Sequence, residues 1–378
     1  MVSYFDHAAT TPMRQVAVDT WVEHAHFLNP GGQYRSGREA NAVLSQARET
    51  IAGILGADPV EVIFTGSGTE ADNVAIRGFA AEPGARIVST PIEHPAVRET
   101  VTDLEEHGAS VDLLPVGLDG LVQLTDALDQ PASVVTCMWA NNETGAIQPV
   151  TEIVSRATAV GSPVHVDAVQ VVGHLPVDFN ALGTTTLAAS AHKFGGPRGV
   201  GILLARRSPT PAPVLTGGGQ QRGLRPGTVD VAAAAATAAA LEEAVDEMGA
   251  ENKRLSQLRD ELIATVTHSV PGSYATVLGA DQPTEVLPGH AHLTFPGANG
   301  DAMIMLLDSH GIEASTGSAC NNGVNQRSHV LEAMGLPDDH ADGALRFTLG
   351  RTTTQDDIDH LVSVLPDVIE KARSVGSL

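Results

Sequence analysis

The sequence predicts an α/β protein, with a large unit built on a mainly parallel sheet and a smaller α/β unit after it. Three observations point there. Strand-like apolar runs alternate with helix-like runs through the first two-thirds of the chain, the pattern of a sheet covered by helices on both faces. Polar residues with chemical potential fall at or just after the ends of those runs: Thr69, Asn142, Asp167 and Lys193. Sheets of this kind bind ligands beyond the carboxyl ends of their strands. The last third changes to short strand candidates between helices, which reads as an antiparallel sheet.

Taken in order, Val60–Thr65 reads as a strand that turns at Gly66-Ser-Gly68 into a helix near Thr69–Phe79. Arg86–Thr90 is a strand and Pro95–His107 a helix. Ser133–Met138 is a strand, followed by a helix over Val150–Ala159. Val164–Val166, Thr185–Ala189 and Val200–Leu204 are further strands. Val229–Val245 is Ala-rich and predicts one long helix; a second, over Asn252–Ser269, leads to the smaller unit. There, strands at Ala291–Phe295 and Leu345–Leu349 alternate with helices near Asp301–His310 and Thr354–Arg373.

Composition bounds the function. The 378 residues are enough for two domains. The net charge is −23, from 22 basic and 45 acidic residues, so a broad nucleic-acid-binding face is disfavoured. No run approaches the roughly 20 apolar residues of a membrane span, and the N-terminus does not read as a signal peptide. Two cysteines, Cys137 and Cys320, make no disulfide framework and fit a reducing cytoplasm.

The most informative run is Leu187-Ala-Ala-Ser190-Ala-His192-Lys193-Phe-Gly-Gly196. It delivers a Ser, a His and a Lys at a strand end, beside a carboxylate supplied by His165-Val-Asp167-Ala-Val-Gln170. With the Gly66-Ser-Gly68-Thr69 turn, these are the parts that hold pyridoxal phosphate: an amine for the carbonyl, a carboxylate for the ring nitrogen, and backbone N–H groups for the phosphate. Each part has a plainer reading when isolated. The Gly-Ser-Gly-Thr run is turn punctuation, and Asp167 is equally a helix N-cap. His94, in Glu93-His94-Pro95, is a solvated helix-start residue or a stacking and proton-relaying one. Asn142 is a turn former or a ligand-binding residue. Arg346 is a salt-bridged edge-strand residue or a clamp for a substrate carboxylate, with Arg351 as a rival. Cys137 lies inside an apolar strand and reads as core. Cys320 lies in the small, polar stretch Ala314–Gln326, which suits a nucleophile that must move; the alternative is a tolerated surface thiol.

Together these segments resemble the cysteine desulfurases, fold-type I pyridoxal phosphate enzymes of the class V aminotransferase-like group. The likeness runs from Tyr4-Phe-Asp-His-Ala-Ala-Thr-Thr-Pro12 to the last helix, through Thr65–Asn73, Glu93-His94, Asn141–Glu143, His165–Gln170, Ser190–Lys193, Gly217–Gln220, Arg225–Thr228 and Ser315–Cys320. The resemblance implies a seven-stranded, mainly parallel sheet in a large cofactor-binding domain, residues 16–255. It implies a small domain of residues 1–15 and 256–378. Lys193 would be the Schiff-base lysine, Asp167 the partner of the pyridine nitrogen and Gln170 that of the phenolic oxygen. Gly68, Thr69, Ser190 and His192 would hold the phosphate, joined by Thr228 of a second subunit in a homodimer with shared active sites. His94 would stack on the ring and act in proton transfer. Asn142 and Arg346 would orient the substrate, L-cysteine. Cys320 would take its sulfur as a persulfide, leaving L-alanine, and pass it to an acceptor protein such as an iron–sulfur scaffold, or toward tRNA thiolation. No resident metal is implied, although Cys320 is a potential ligand of an iron–sulfur cluster in transit.

Three positions depart from the family pattern: Asn29-Pro-Gly-Gly-Gln-Tyr34 lacks a common Ser-Ser and His, Pro226 replaces a frequent Ser, and His292 replaces a frequent Asn. The rival expectations are a selenocysteine lyase or related aminotransferase with Cys320 incidental, and a sulfur-carrying scaffold without chemistry.

Overall fold

A computed structural model describes residues 2–277, 284–317 and 327–375. Seven strands form the main sheet: Val62–Thr65 (β1), Arg86–Ser89 (β2), Ser110–Leu113 (β3), Val134–Met138 (β4), Val164–Asp167 (β5), Thr186–Ser190 (β6) and Gly201–Ala205 (β7). Their spatial order is β1-β7-β6-β5-β4-β2-β3. All neighbours pair in parallel except β7, which runs antiparallel to both β1 and β6. Five of these strands are buried along their whole length, and β5 and β6 end on Asp167 and Ser190. The sheet is therefore α/β and mainly parallel, as expected.

β3 is the strand that pattern reading misses. It lies at the sheet edge, and Leu113 is 56 % exposed. An edge strand with one face in water carries no continuous apolar run. The first strand also begins later than expected, because Pro59–Glu61 forms a 3-10 turn closed by a reciprocal capping box between Asp58 and Glu61. Helices Gln15–His24 and Arg35–Leu55 lie outside the runs read as helices. Yet Ala40, Leu44, Ala47, Ile51 and Leu55 repeat at helical spacing along the second and are all buried.

The two helices expected over Val229–Val245 and Asn252–Ser269 are one continuous helix, Val231–Ser269. Its first half packs Ala233–Ala244 into the core of the main sheet. Its second half buries Leu255, Leu258, Leu262 and Val266 in a separate apolar cluster. The junction passes through Gly249, which costs a helix about 1 kcal/mol without breaking it. The second cluster contains Phe5 and the buried face of helix Gln355–Val375, and it covers a three-stranded antiparallel sheet, Ala344–Thr348, His290–Thr294 and Tyr274–Ala275 in that order.

Candidate active site

The site grows from four strand ends of the main sheet and one strand of the small one. After β1 the chain turns through Gly66-Ser67 into helix Gly68–Phe79. Ser67 caps it, its Oγ accepting Glu70 N–H at 3.1 Å. Gly68 is required here: a Cβ would stand 2.8 Å from Val169 Cγ2 and 3.3 Å from Ser190 Cβ. The helix N-terminus thus presents bare backbone to the ends of β5 and β6. Glu70 fixes the turn further, accepting Gly66 N–H and pairing with Arg225 Nε at 2.8 Å.

β5 delivers Asp167, 5 % exposed, whose Oδ1 accepts Val169 N–H at 2.9 Å. Burial raises its carboxyl to about 7, with repulsion from Asp72 adding to the effect; the Val169 N–H, His165 and Lys193 oppose it. Behind it, the fully buried His165 bridges Thr186 Oγ1 at 2.9 Å and Asp72 Oδ1 at 3.1 Å.

β6 runs through Ser190 into a 3-10 turn that ends on Lys193. Lys193 Nζ donates to the carbonyl oxygens of Ala8 at 2.6 Å and Ala9 at 2.8 Å. Burial lowers its ammonium to about 8, aided by Arg346 and opposed by Asp167 and Asp6. Gln170 Nε2 also donates to Ala8 O, at 3.0 Å. The N-terminal segment therefore closes one side of the site.

From the other side comes the loop after β4. Asn141 Oδ1 accepts the N–H groups of Glu143 and Thr144, both at 2.9 Å, which sets Asn142 at the mouth. Arg346, on an edge strand, reaches across: Nη1 donates to Asn142 O at 2.7 Å and Nη2 pairs with Asp6 Oδ1 at 2.6 Å. Its Nε is buried without a hydrogen-bond partner among the described residues. Arg346 is a salt-bridged edge-strand residue, and it also lines a cavity.

Two cavities meet here. The inner one, about 200 Å³, is lined by Gly68, Thr69, Asp72, Asp167, Ser190 and His192 among others. The outer one, about 400 Å³, is lined by Asp6, Arg98, Glu143, Arg327, His329 and Arg346 among others. His94, Asn142, Gln170 and Lys193 line both. The structure thus gathers every expected site residue except two. Thr228 is exposed and lines neither cavity. Cys320 lies outside the described residues, although Gly317 and Arg327, on either side of it in sequence, line the outer cavity. Cys137 is core, buried in β4 with its thiol pushed well up by burial. Among the described residues no group of three or more His, Cys, Asp or Glu side chains has a metal-holding arrangement.

Sequence reasoning did not single out Asp6, Ala8, Ala9, Asp72, Glu143 or His329. Asp6, Asp72 and Glu143 stand inside segments that carried the resemblance. Ala8 and Ala9 act through backbone oxygens, which no side-chain pattern announces.

The sequence model of the Aminotransferase class-V family matches residues 3–361. An IscS-like cysteine desulfurase of Mycobacterium tuberculosis is 46% identical over 385 aligned residues, covering 98% of this chain and 97% of that protein. A solved structure described as a NifS-like protein superposes with a TM-score of 0.89 at 33% identity, covering 98% of this chain and all of the other. The structure of SspA in complex with cysteine superposes with a TM-score of 0.80 at 29% identity, covering 92% of this chain and 98% of that one.

Proposed function

The chain belongs to the Aminotransferase class-V family, and from that premise we propose how its residues divide the work of a pyridoxal-phosphate-dependent cysteine desulfurase. It is an enzyme that removes the sulfur of L-cysteine. The observation that carries this is that Lys193 and Asp167 line one cavity, which meets a second one lined by Arg346.

The residues fit the cofactor. The inner cavity has bare backbone at Gly68 where a Cβ would collide, and the hydroxyl of buried Ser190 beside it. Thr69, Ser190 and His192 would hold the phosphate, Asp167 the protonated ring nitrogen, and Gln170 the phenolic oxygen. His94 would stack on the ring, and Lys193 would make the covalent link. When bound, the cofactor supplies an electron sink next to the substrate α-carbon. Thr228 is exposed and away from its own cavities, which supports a homodimer in which Thr228 of the partner subunit completes the phosphate site.

The substrate carboxylate docks on Arg346 and Asn142, which orients the α-carbon toward Lys193. Burial lowers the Lys193 ammonium to about 8, so it is suited to carry a proton at that carbon. The Cys320 thiolate attacks the substrate sulfur. The S–S bond forms as the C–S bond breaks, and the electron pair of the C–S bond stays on carbon, which takes a proton to give L-alanine. The persulfide then passes to an acceptor protein, of the class of iron–sulfur scaffolds or the tRNA-thiolation machinery. Among the described residues no helix is long and apolar enough to cross a membrane. We place the enzyme in the cytoplasm, where two unpaired cysteines stay reduced. Residues 16–255 form the large domain and 1–15 with 256–378 the small one.

The test is alanine release from L-cysteine beside the cofactor's visible absorbance, in wild type and Cys320→Ala. Absorbance in both proteins with alanine release lost in Cys320→Ala is expected. Absorbance without alanine release by the wild type would overturn the assignment.

A further inference from the structure

Two imidazoles face the outer cavity, and their hydrogen bonds give them opposite polarity. His94 stands at the N-cap of helix Pro95–Glu106, and its Nδ1 accepts Ala96 N–H at 3.1 Å. A nitrogen that accepts an N–H is bare, so neutral His94 carries its proton on Nε2. His329 opens helix His329–Ala333, with Nε2 2.9 Å from Glu93 O. A carbonyl oxygen only accepts, so Nε2 carries the His329 proton and Nδ1 is bare. The two remaining nitrogens, His94 Nε2–H and His329 Nδ1, have no hydrogen-bond partner among the described residues. The cavity is therefore equipped with one imidazole donor and one imidazole acceptor.

Burial keeps both rings neutral. His94 is lowered to about 4 by burial, with Lys193, His329 and Arg346 adding to it. His329 is lowered by burial and by Arg98, against the Glu93 carbonyl, Glu332 on its own helix and Glu99 on helix Pro95–Glu106.

Position selects the proton. The substrate carboxylate belongs to Arg346, and the amino nitrogen must approach Lys193, which lines both cavities. His329 lines the outer cavity alone, so it meets the arm that stays there, the sulfhydryl. We propose that His329 is a catalytic residue of the sulfur-transfer step, its Nδ1 accepting the proton of the substrate sulfhydryl. This rests on the desulfurase reading above. As the bond from Cys320 to the substrate sulfur forms and the C–S bond breaks, the S–H proton moves to Nδ1 and the persulfide leaves as an anion. The C–S electron pair stays on carbon, no other electrons move, and the imidazolium returns its proton to water through the open mouth. A persulfide S–H is more acidic than a thiol S–H, so a base as weak as a buried imidazole suffices.

The test uses cofactor-loaded wild type, His329→Asn and His329→Gln with two substrates. L-Cysteine reports sulfur transfer through single-turnover alanine formation. L-Alanine, which has the ammonium and the α-hydrogen but no sulfhydryl, reports α-hydrogen exchange in D2O. Both variants are expected to slow the cysteine reaction about a hundredfold at pH 7 and to leave alanine exchange within about twofold. Added imidazole should recover part of the loss. The wild-type cysteine reaction should lose rate below pH 6.5, as Nδ1 gains its proton, in a limb that both variants lack. In cofactor-free protein, nitrogen-15 spectra should show His329 as the Nε2–H tautomer. Equal losses with both substrates, no loss with cysteine, failure of imidazole to restore any rate, or an Nδ1–H tautomer would each overturn the proposal. A wild type that exchanges alanine but releases none from cysteine would instead sink the desulfurase reading on which it rests.

Discussion

Glu143 accepts a hydrogen bond from Ser328 Oγ with one carboxylate oxygen, and the same oxygen lies 3.2 Å from where a Cβ on Gly317 would stand. One buried carboxylate therefore touches both chain segments that flank Cys320. A second tie joins one of those segments to the substrate side, since Ser315 and Arg346 exchange backbone hydrogen bonds at 2.7 and 3.3 Å. On the proposed role of Cys320, Glu143 would position the segments that carry the sulfur-accepting thiol. Glu143→Gln retains an oxygen that accepts from Ser328, whereas Glu143→Ala leaves the buried hydroxyl unpaired. The Ala variant should slow persulfide formation about tenfold or more, from a lost buried hydrogen bond worth about 1–3 kcal/mol, and the Gln variant should recover most of it. Cofactor absorbance should be normal in both. Equal rates for Ala and wild type in a single-turnover persulfide assay would refute the role.

Lys193 must lose a proton before it can bond a carbonyl, and burial brings its ammonium to about 8. Below that pH it is protonated and unreactive; above it, the free amine predominates. Cofactor loading of the apoprotein should therefore rise with pH to a midpoint near 8, well below the roughly 10.4 of an ordinary lysine. Arg346→Gln removes a cation that lowers Lys193, so the midpoint should move up; Asp6→Asn removes an anion that raises it, so the midpoint should move down. Stopped-flow loading rates across pH 6–11 decide it, and a midpoint unmoved by either variant would contradict the electrostatic account.

What sequence reading reached here has a common physical form. Lys193, Asp167, Ser190 and Gln170 each follow an apolar run that ends in polar residues, and a strand end is local information. The N-terminal segment is different. Ala8 and Ala9 hold Lys193 through backbone oxygens across more than 180 residues of chain, a relation that no spacing encodes. His329 escaped because its meaning depends on Glu93 O, 236 residues away. Strand β3 escaped because Ser110 and Asp112 interrupt its apolar pattern at a half-wet edge. Gly249 and the polar run around it mimic a break in the long helix, which crosses there from one core to the other.

Asp72 and His165 share the buried space behind Asp167 as a neutral pair. Burial raises the Asp72 carboxyl to about 8 and lowers the His165 imidazole to about 4. The raised carboxyl contributes stability that is full below its unfolded value near 3.9 and is lost as pH rises through about 8. The lowered imidazole contributes the opposite slope between about 6.5 and 4. Asp72→Asn mimics the protonated carboxyl and can donate to His165 Nε2. It should be more stable than wild type from pH 6 upward and should lack the loss that wild type shows as pH rises toward 8. Asp72→Leu should be destabilised at every pH, because it leaves a buried imidazole nitrogen unpaired, at a cost of about 1–3 kcal/mol. Melting temperatures of the three apoproteins from pH 5 to 9 make the comparison, and an Asn variant as pH-sensitive as wild type would rule the pair out as the source.

Arg346 carries two contacts in the pocket, Asp6 Oδ1 and Asn142 O, and a buried Nε with no partner among the described residues. Only a planar fork can keep both contacts and still present an edge to a carboxylate. Lysine retains the charge but is a single point donor, so Arg346→Lys cannot hold Asp6 and Asn142 and bind substrate together. A charge-assisted hydrogen bond is worth about 1.5–3 kcal/mol, so kcat/KM for L-cysteine should fall about 10- to 100-fold in Arg346→Lys. Most of the loss should appear in KM, because the carboxylate is held alike before and during the chemical step. Steady-state kinetics with L-cysteine test this directly. A loss confined to kcat would mean that Arg346 acts on the reacting atoms and not on the carboxylate.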